Sequence, residues 1–190
     1  MLKNQTYISS ISFTGQHLTF YFDKAGRLLL KYSHTNTSDT NYYLDDNGQD
    51  SRYDLSDPYV DYYSDADYKE LRGKLKRVGP LEITYYDRFD WDELKGKVKS
   101  IGNVKFTYYD RFDWDELRGK IKSVGDMKIT YYNHFDWDEL NGKIKAIGNT
   151  SFTYYDRFDP NYKIGRLENI TGNTQGLNII KLHDPFDRYD

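Results

Sequence analysis

The chain has 190 residues, and its formal net charge of −3 comes from 27 basic and 30 acidic side chains. Because this balance lacks the basic excess of proteins that hold phosphate backbones, we do not expect a nucleic-acid partner. The sequence has no cysteine, which excludes disulfides and thiolate metal sites, and no stretch approaches the ~20 apolar residues of a membrane span.

Aromatic side chains make up much of the apolar content. The chain has 20 Tyr, 10 Phe and 3 Trp, whereas hydrophobic residues of all types reach only 37%. Tyrosine and tryptophan bury an apolar body and keep a polar edge that needs a partner. The composition therefore favours a thin sheet over a thick aliphatic core.

The first part of the chain is predicted to form strands. Segments 7–13, 17–22 and 27–32 are rich in β-branched and aromatic residues and are separated by turns that contain glycine. Strand, glycine turn and strand in this order predict a hairpin. We take residues 1–60 as an N-terminal β-hairpin cap that ends in an acidic polar loop.

Residues 61–170 are tandem copies of a 23-residue unit. The segments 96–118 and 119–141 carry the same residue at most of their positions. The full units cover 73–95, 96–118, 119–141 and 142–164, with partial copies on either side. Each unit opens on a glycine, and the series is Gly73, Gly96, Gly119, Gly142 and Gly165. Residues 171–190 are a C-terminal cap, in which residues 177–182 are predicted to close the sheet.

Each unit is predicted to contain one hairpin. In residues 104–109 the alternation places Val104, Phe106 and Tyr108 on one face, with Lys105, Thr107 and Tyr109 on the other. The strand before it covers residues 97–101. The two are joined by Gly102-Asn103, and equivalent two-residue loops recur in the other units. A glycine in first place supplies the positive φ that a type II′ turn requires.

This turn sets the pairing of the two strands. Ile101 is expected opposite Val104, Lys99 opposite Phe106, and Lys97 opposite Tyr108, with the lysine stems lying across aromatic rings. Val98 and Ile101 are three residues apart, so they share a face only if a β-bulge intervenes.

The link between units is predicted to contain one helical turn. Asp113 and Glu116 have the spacing of a capping box, and Gly119 is a natural stop. The turn would place Trp114 and Leu117 on the same side. A wide polar loop is the alternative.

Together these patterns predict an all-β fold, an elongated antiparallel β-meander of 23-residue hairpin repeats with about twelve strands. A parallel solenoid like that of leucine-rich repeats is the alternative fold. Its Leu-x-x-Leu-x-Leu spacing and Asn position do not hold together in this chain.

Several short stretches resemble known tyrosine-rich hairpin repeats. Residues 21–28, Tyr-Phe-Asp-Lys-Ala-Gly-Arg-Leu, resemble the tyrosine-aspartate motif of RHS/YD repeats, as do Tyr-Tyr-Asp and the Gly-Lys-Ile-Lys-Ser-Val-Gly of residues 119–125. Residues 41–48 are similar to the aromatic cell-wall-binding repeats of bacterial surface proteins. The whole unit resembles uncharacterised repeats of exported proteins from Bacteroidetes-type bacteria.

The resemblances imply a bacterial, exported protein built of β-hairpins. We therefore expect an extracytoplasmic or secreted location, although residues 1–16 lack the apolar segment of a signal peptide in the chain as given. A cytoplasmic location stays open.

The acidic loops have two interpretations. Oxygen ligands at this density suit Ca²⁺, which takes six to eight of them. The favoured alternative is a capped turn with ion pairs between repeats, because the spacing is not that of an EF-hand. The candidate ligands are Asp87, Asp90, Asp92, Glu93, Asp110, Asp113, Asp115 and Glu116.

The regularly spaced aromatic residues also have two interpretations. Exposed rings are stacking platforms for a glycan or another surface polymer, whereas buried rings are the core itself. A protein partner is a further option for an exposed face. The candidate ligand-binding residues are Tyr86, Tyr109, Tyr132, Tyr155, Trp91, Trp114 and Trp137.

We do not expect an enzyme. The four histidines, His17, His34, His134 and His183, have no zinc spacing and no serine nucleophile motif nearby. The carboxylates exist as tandem copies, which is not typical of an active site. The sequence favours a non-catalytic exported repeat protein, a structural or surface-binding module that uses an aromatic and lysine sheet face. The alternative is a carbohydrate- or cell-wall-binding module with a defined glycan ligand.

Overall fold

The computed structural model describes residues 7–12, 18–22, 28–32 and 60–182. The acidic polar loop predicted before residue 60, the turns between the first three strands and the cell-wall-like stretch 41–48 lie outside these residues, as does 183–190. The described residues contain fourteen strands, which are β1 (Tyr7–Ser12), β2 (Leu18–Phe22), β3 (Leu28–Tyr32), β4 (Val60–Tyr62), β5 (Leu75–Val78), β6 (Leu81–Tyr85), β7 (Val98–Ile101), β8 (Val104–Tyr108), β9 (Ile121–Val124), β10 (Met127–Tyr131), β11 (Ile144–Ile147), β12 (Thr150–Tyr154), β13 (Leu167–Thr171) and β14 (Asn178–Leu182).

Ten of these strands form one open antiparallel sheet. The order of strands in the sheet is the order of the chain, from β4 at one end to β13 at the other. Each strand pairs antiparallel with its neighbours. The predicted all-β meander is therefore confirmed, and the parallel solenoid is wrong.

The remaining strands form two pairs. β2 and β3 are the predicted antiparallel hairpin. β14 pairs with β1, so the prediction that residues 177–182 close the repeat sheet is wrong. After β13 the chain crosses the turn of the last hairpin. There the Thr174 hydroxyl donates to the Ile147 carbonyl (2.7 Å) and accepts from the Asn149 N–H (2.9 Å). These bonds hold residue 174 over the turn of the hairpin, and β14 does not join the ten-stranded sheet.

A β-bulge explains how two residues three positions apart share the inner face. Ile83 pairs with Ile101 and Tyr85 with Val98, and the register shifts between these two pairs, so Lys99 is the extra residue. Val98 and Ile101 are both fully buried. The same shift recurs where β4, β8, β10 and β12 each meet the strand that follows.

The first residue of each hairpin turn has the predicted positive φ. Gly79, Gly102, Gly125 and Gly148 all have φ between 54° and 57°. The φ angle of Gly79 agrees with those of the other three glycines, although a proline, Pro80, follows it. A type II′ turn accommodates this, because only its first residue needs a positive φ and the proline ring holds a negative one.

The core lies along the inner face of the sheet. Phe106 and Tyr108 are buried while Lys105 and Thr107 are exposed, which confirms the predicted alternation in β8. The loops contribute further apolar groups to the buried interior, namely Leu71, Leu94, Leu117 and Leu140. No helix in the described part of the chain is long and apolar enough to cross a membrane.

Two single-residue deletions in one hairpin test this alternation. Deleting Lys105 turns the Phe106 side chain outward, because side chains alternate between the two faces. We expect a loss of at least about 3 kcal/mol of unfolding free energy in urea denaturation. Deleting Lys99 removes the bulge but keeps Val98 and Ile101 on the inner face, so the loss should be smaller. Equal losses for the two deletions would contradict the assigned faces.

Candidate functional site

The tyrosine pair that ends each second strand has two separate structural roles. The first tyrosine is turned inward and hydrogen bonds within its own unit. The Tyr85 hydroxyl donates to the Leu75 carbonyl at 2.7 Å, and the Tyr108 hydroxyl donates to the Val98 carbonyl at 2.9 Å. Tyr131 makes the equivalent bond. These phenols satisfy backbone carbonyls inside the core.

The second tyrosine of each pair connects one unit to the next. The Tyr86 hydroxyl donates to the Phe106 carbonyl of the following unit at 2.9 Å. Its ring lies edge-on against the Tyr108 ring, with centroids 5.9 Å apart. We call Tyr63, Tyr86, Tyr109 and Tyr132 the bridging tyrosines, because all four make this pair of contacts.

The structure places a lysine over each bridging ring. The Lys99 ammonium is 5.0 Å from the centre of the Tyr86 ring, so the prediction that Lys99 lies across Phe106 is wrong. The bulge at Lys99 turns this side chain away from β8 and toward the preceding unit. The prediction for Lys97 is confirmed, since its ammonium is 5.2 Å from the centre of the Tyr108 ring.

The tyrosines that the sequence suggests as stacking platforms for a ligand already have partners within the protein. Tyr86, Tyr109 and Tyr132 are half-buried, each with its hydroxyl bonded to a carbonyl and its ring beneath a lysine. Tyr155 has Lys163 at 4.8 Å from its ring centre. Burial raises the pKa of the Tyr86 and Tyr109 phenols, so both remain hydrogen-bond donors. Ligand binding by these rings stays a prediction.

The four residues after each tyrosine pair form a tight turn. The Asp87 carboxylate accepts from the Phe89 N–H (2.8 Å), and the Asp90 carboxylate accepts from the Asp87 N–H (2.9 Å). A side chain that bonds the backbone two residues ahead is an Asx turn. The turn recurs in the other units with Asp110, Asn133 and Asp156 in place of Asp87. It fixes the phenylalanine that follows Arg or His on the outer side of the loop.

The predicted capping box is not formed. The described residues contain a single short 3₁₀ turn, at Asp115–Leu117, and it has no side-chain cap. The Asp113 carboxylate instead accepts from the Asp110 N–H and pairs with Lys122. Leu117 is buried and Trp114 is 47% exposed, so of this pair only Leu117 belongs to the core.

The loop glutamates hold the next loop in place. The Glu93 carboxylate accepts from both the backbone N–H (2.8 Å) and the guanidinium (3.0 Å) of Arg111. The hydrogen bond from the Arg111 side chain is the main reason that the pKa of Glu93 falls to about 2. Glu139 holds Arg157 in the same way. Adjacent loops are therefore joined by charge-assisted hydrogen bonds.

One of these joints contains a histidine instead of an arginine. Glu116 accepts from the backbone N–H of His134 (2.9 Å), and its carboxylate lies 2.8 Å from the His134 Nδ1. The backbone N–H of Glu116 itself, and then the bonds from His134, lower the pKa of Glu116 to about 2. This carboxylate is therefore ionised at neutral pH.

The candidate calcium ligands have other partners. Asp92 pairs with Lys95, and Asp115 pairs with Arg118. Asp90 lies 3.5 Å from the Lys99 ammonium. In residues 60–182 and the described strands before them, no group of three or more His, Asp or Glu side chains is arranged to hold a metal ion.

An exposed row of aromatic rings runs along the loops. Phe112 lies edge-on to Trp91 (5.8 Å between centroids), and Phe135 lies edge-on to Trp114 (5.2 Å). Phe158 meets Trp137 in the same way. We call this row the aromatic ribbon, and its members are Tyr68, Phe89, Trp91, Phe112, Trp114, Phe135, Trp137 and Phe158.

Arginine and histidine side chains are inserted between the rings of the ribbon. The Arg111 guanidinium is 4.2 Å from the centre of the Trp91 ring, and Arg157 is 4.4 Å from that of Trp137. Arg88 lies 4.1 Å from the Tyr68 ring centre, and the His134 ring is 4.6 Å from that of Trp114. Each of these groups covers part of at least one ring, and Arg88 and His134 also contact the rings of Phe89 and Phe135. The glutamate joints hold two of the arginines and the histidine in position.

The exposure of the ribbon is its most unusual property. Phe89, Phe112 and Phe158 are each 79% exposed and Phe135 is 75% exposed, while the three tryptophans are 42–47% exposed. With about 150–250 Å² of surface on each ring, the ribbon exposes roughly 900 Å² of aromatic surface. Monomers rarely expose apolar patches above about 300–600 Å².

The ribbon only partly matches the sequence prediction. Trp91, Trp114 and Trp137 were predicted as ligand-binding residues and lie in it, whereas the four phenylalanines and their arginine neighbours were missed. The Asp-x-Phe spacing of the Asx turn is the sequence signal that marks these phenylalanines as loop residues. Comparisons of the chain with family models, curated proteins and solved structures gave no match.

Two alanine substitutions in one unit test the assignment of buried and exposed phenylalanines. Phe106 is 1% exposed, so Phe106→Ala should lower the unfolding free energy by about 3–5 kcal/mol. Phe112→Ala removes the same atoms from the solvent side and should change it by about 0.5 kcal/mol or less. Chemical denaturation of both variants is the measurement. A large loss for Phe112→Ala would show that this ring belongs to the core.

Proposed function

We propose that the protein is a non-catalytic, exported bacterial repeat protein, a structural or surface-binding module that docks through the aromatic ribbon. The observation that carries the proposal is the exposure of four phenylalanines at the same position of successive units. Large apolar patches of this kind mark interaction surfaces. The export and the bacterial origin are drawn from the resemblance of the repeats.

The described sheet face offers a less suitable surface. Its exposed side chains in β8 are Lys105 and Thr107, and in β10 they are Lys128 and Thr130. The tyrosines that follow these strands are half-buried in contacts between units. The sequence prediction of an aromatic and lysine sheet face is therefore replaced in the proposal by a ribbon on the loops.

Hydrogen bonds within the chain position the loops of the ribbon. The Asx turn fixes the backbone on one side of each phenylalanine, and the Glu93–Arg111 bonds fix the neighbouring cation. A preorganised surface loses less conformational entropy on association than a mobile loop. This supports a docking role for the ribbon.

A module with a defined glycan ligand is the second candidate. The row of Trp91, Trp114 and Trp137 favours it, because indole rings in a line can stack successive sugars. Each of these rings, however, has one face partly covered by Arg111, His134 or Arg157 and an edge against a phenylalanine. This cover favours the structural interpretation of the ribbon.

Co-sedimentation with insoluble peptidoglycan, cellulose and chitin separates the two candidates. The ribbon variant combines four substitutions, Phe89→Ser, Phe112→Ser, Phe135→Ser and Phe158→Ser. The control combines Lys105→Ser and Lys128→Ser on the sheet face. The glycan candidate predicts that one polymer is bound by the intact protein and by the control, and is released by the ribbon variant.

Two other results of the co-sedimentation experiment would count against one of the candidates. If the folded intact protein binds none of the three polymers, the glycan candidate loses its support and the structural module remains. If a polymer binds the ribbon variant as well as it binds the intact protein, the ribbon is not the binding surface. That result would contradict the proposal.

A further inference from the structure

We propose that the partner of the aromatic ribbon is the ribbon of a second copy of this chain, docked in antiparallel order. The inference rests on the proposed docking role of the ribbon and names its occupant. A two-fold dimer uses the same surface patch on both subunits, so that patch must be complementary to itself. Three properties of the ribbon meet this requirement.

The first property is area. Stable interfaces bury about 800 Å² on each partner. The rings of the ribbon expose roughly 900 Å² on one chain, so the standard interface size is reached when nearly all of this surface is buried. Aromatic side chains and arginine are also the residue types enriched at interface centres.

The second property is the order of the rings. Tyrosine or tryptophan alternates with phenylalanine along the ribbon, and the series is centred on Asp113. If a second copy runs in the opposite direction with its Asp113 opposite the Asp113 of the first copy, every phenylalanine of one ribbon lies opposite a tryptophan or tyrosine of the other. The opposed pairs are Phe112 with Trp114, Trp91 with Phe135, Phe89 with Trp137, and Tyr68 with Phe158. Edge-to-face contacts between phenylalanine and tryptophan already occur within one chain.

The two ribbons also have the same period. Neighbouring strands lie about 4.8 Å apart, so successive units recur at about 9.6 Å along the sheet. A second copy has the same period because its sequence is identical, and the pairing can therefore be repeated at every unit. A partner with an unrelated repeat would match the rings at only some positions.

The third property is charge. Asp115 has an 85% exposed side chain, and in the reversed order it lies opposite Arg111 of the other copy. Asp92, whose side chain is 84% exposed, lies opposite His134. The exposed Asp138 lies opposite Arg88. The exposed aspartate that follows each ribbon tryptophan thus faces an arginine or a histidine, whereas the exposed Lys69 after Tyr68 lies opposite Arg157. The three aspartate pairs favour this register along the rest of the ribbon.

Sedimentation velocity over a range of concentrations tests the dimer. We expect the intact chain to dimerise. The four-phenylalanine ribbon variant should raise the dimer dissociation constant by at least about 30-fold, the effect of losing one strong aromatic contact. The Lys105→Ser and Lys128→Ser control should dimerise like the intact protein. Circular dichroism of both variants checks that they are folded.

Disulfide trapping tests the register, because the chain has no cysteine of its own. A mixture of Asp115→Cys and Arg111→Cys chains should form a cross-linked heterodimer under mild oxidation. A mixture in which Lys105→Cys replaces Arg111→Cys should not. Cross-links that do not depend on the position of the cysteine would overturn the antiparallel register.

The failure of this inference is distinguishable from that of the proposed function. A chain that stays monomeric at every concentration overturns the dimer. If that monomer binds a polymer through the four phenylalanines, the ribbon keeps its docking role. If it binds none, only the dimer fails, because the proposed structural module does not depend on binding any of these three polymers. A dimer that is unaffected by the ribbon substitutions also overturns the inference, because another surface then forms the contact.

Discussion

The structure depends on one hydrogen bond that is repeated between units, from a bridging tyrosine to a backbone carbonyl of the unit that follows. Pairing of β7 with β8 covers only two residue pairs, Ser100 with Lys105 and Ile101 with Val104. Phe106 lies beyond them, and its carbonyl accepts from the Tyr86 hydroxyl. Loss of a hydrogen bond to a buried carbonyl costs about 1–3 kcal/mol, so the tyrosine of each unit stabilises the unit that follows it.

The positions of the loops follow from this dependence. The bulge that shortens the strand pairing also turns Lys99 over the Tyr86 ring, and the tyrosine then leads directly into the Asx turn. Because every unit is fixed to its neighbour in the same way, the phenylalanine of each turn appears at an equivalent place. Glu93 and its equivalents add a second link between loops. The ribbon is thus a consequence of how the units stack.

Much of the fold could be predicted from local patterns. The alternation of residues 104–109 indicates the two faces of β8, and the glycine turns indicate the hairpins, because both signals depend on a few adjacent residues. The spacing of Val98 and Ile101 even requires the bulge. The place of Lys99 could not be predicted, since a bulge moves its side chain to a neighbour in another unit.

The candidate site was less predictable for a similar reason. A tyrosine in a strand looks the same in sequence whether its hydroxyl meets water or a carbonyl of the next unit, so the pattern alone leaves Tyr86 a candidate platform. Composition likewise does not separate the exposed Phe112 from the buried Phe106. The capping-box spacing of Asp113 and Glu116 was misleading, because each carboxylate has a partner outside the turn, Lys122 for one and His134 for the other.

The substitution Tyr109→Phe measures the link between units most directly. It keeps the ring and removes only the hydroxyl that donates to the Ile129 carbonyl at 3.0 Å. We predict a loss of about 1–3 kcal/mol in unfolding free energy by urea denaturation. The matched control is Tyr155→Phe, since no carbonyl in residues 60–182 accepts from the Tyr155 hydroxyl, and its effect should be smaller. If Tyr109→Phe is as stable as the intact protein, the bridging tyrosines do not hold the units together.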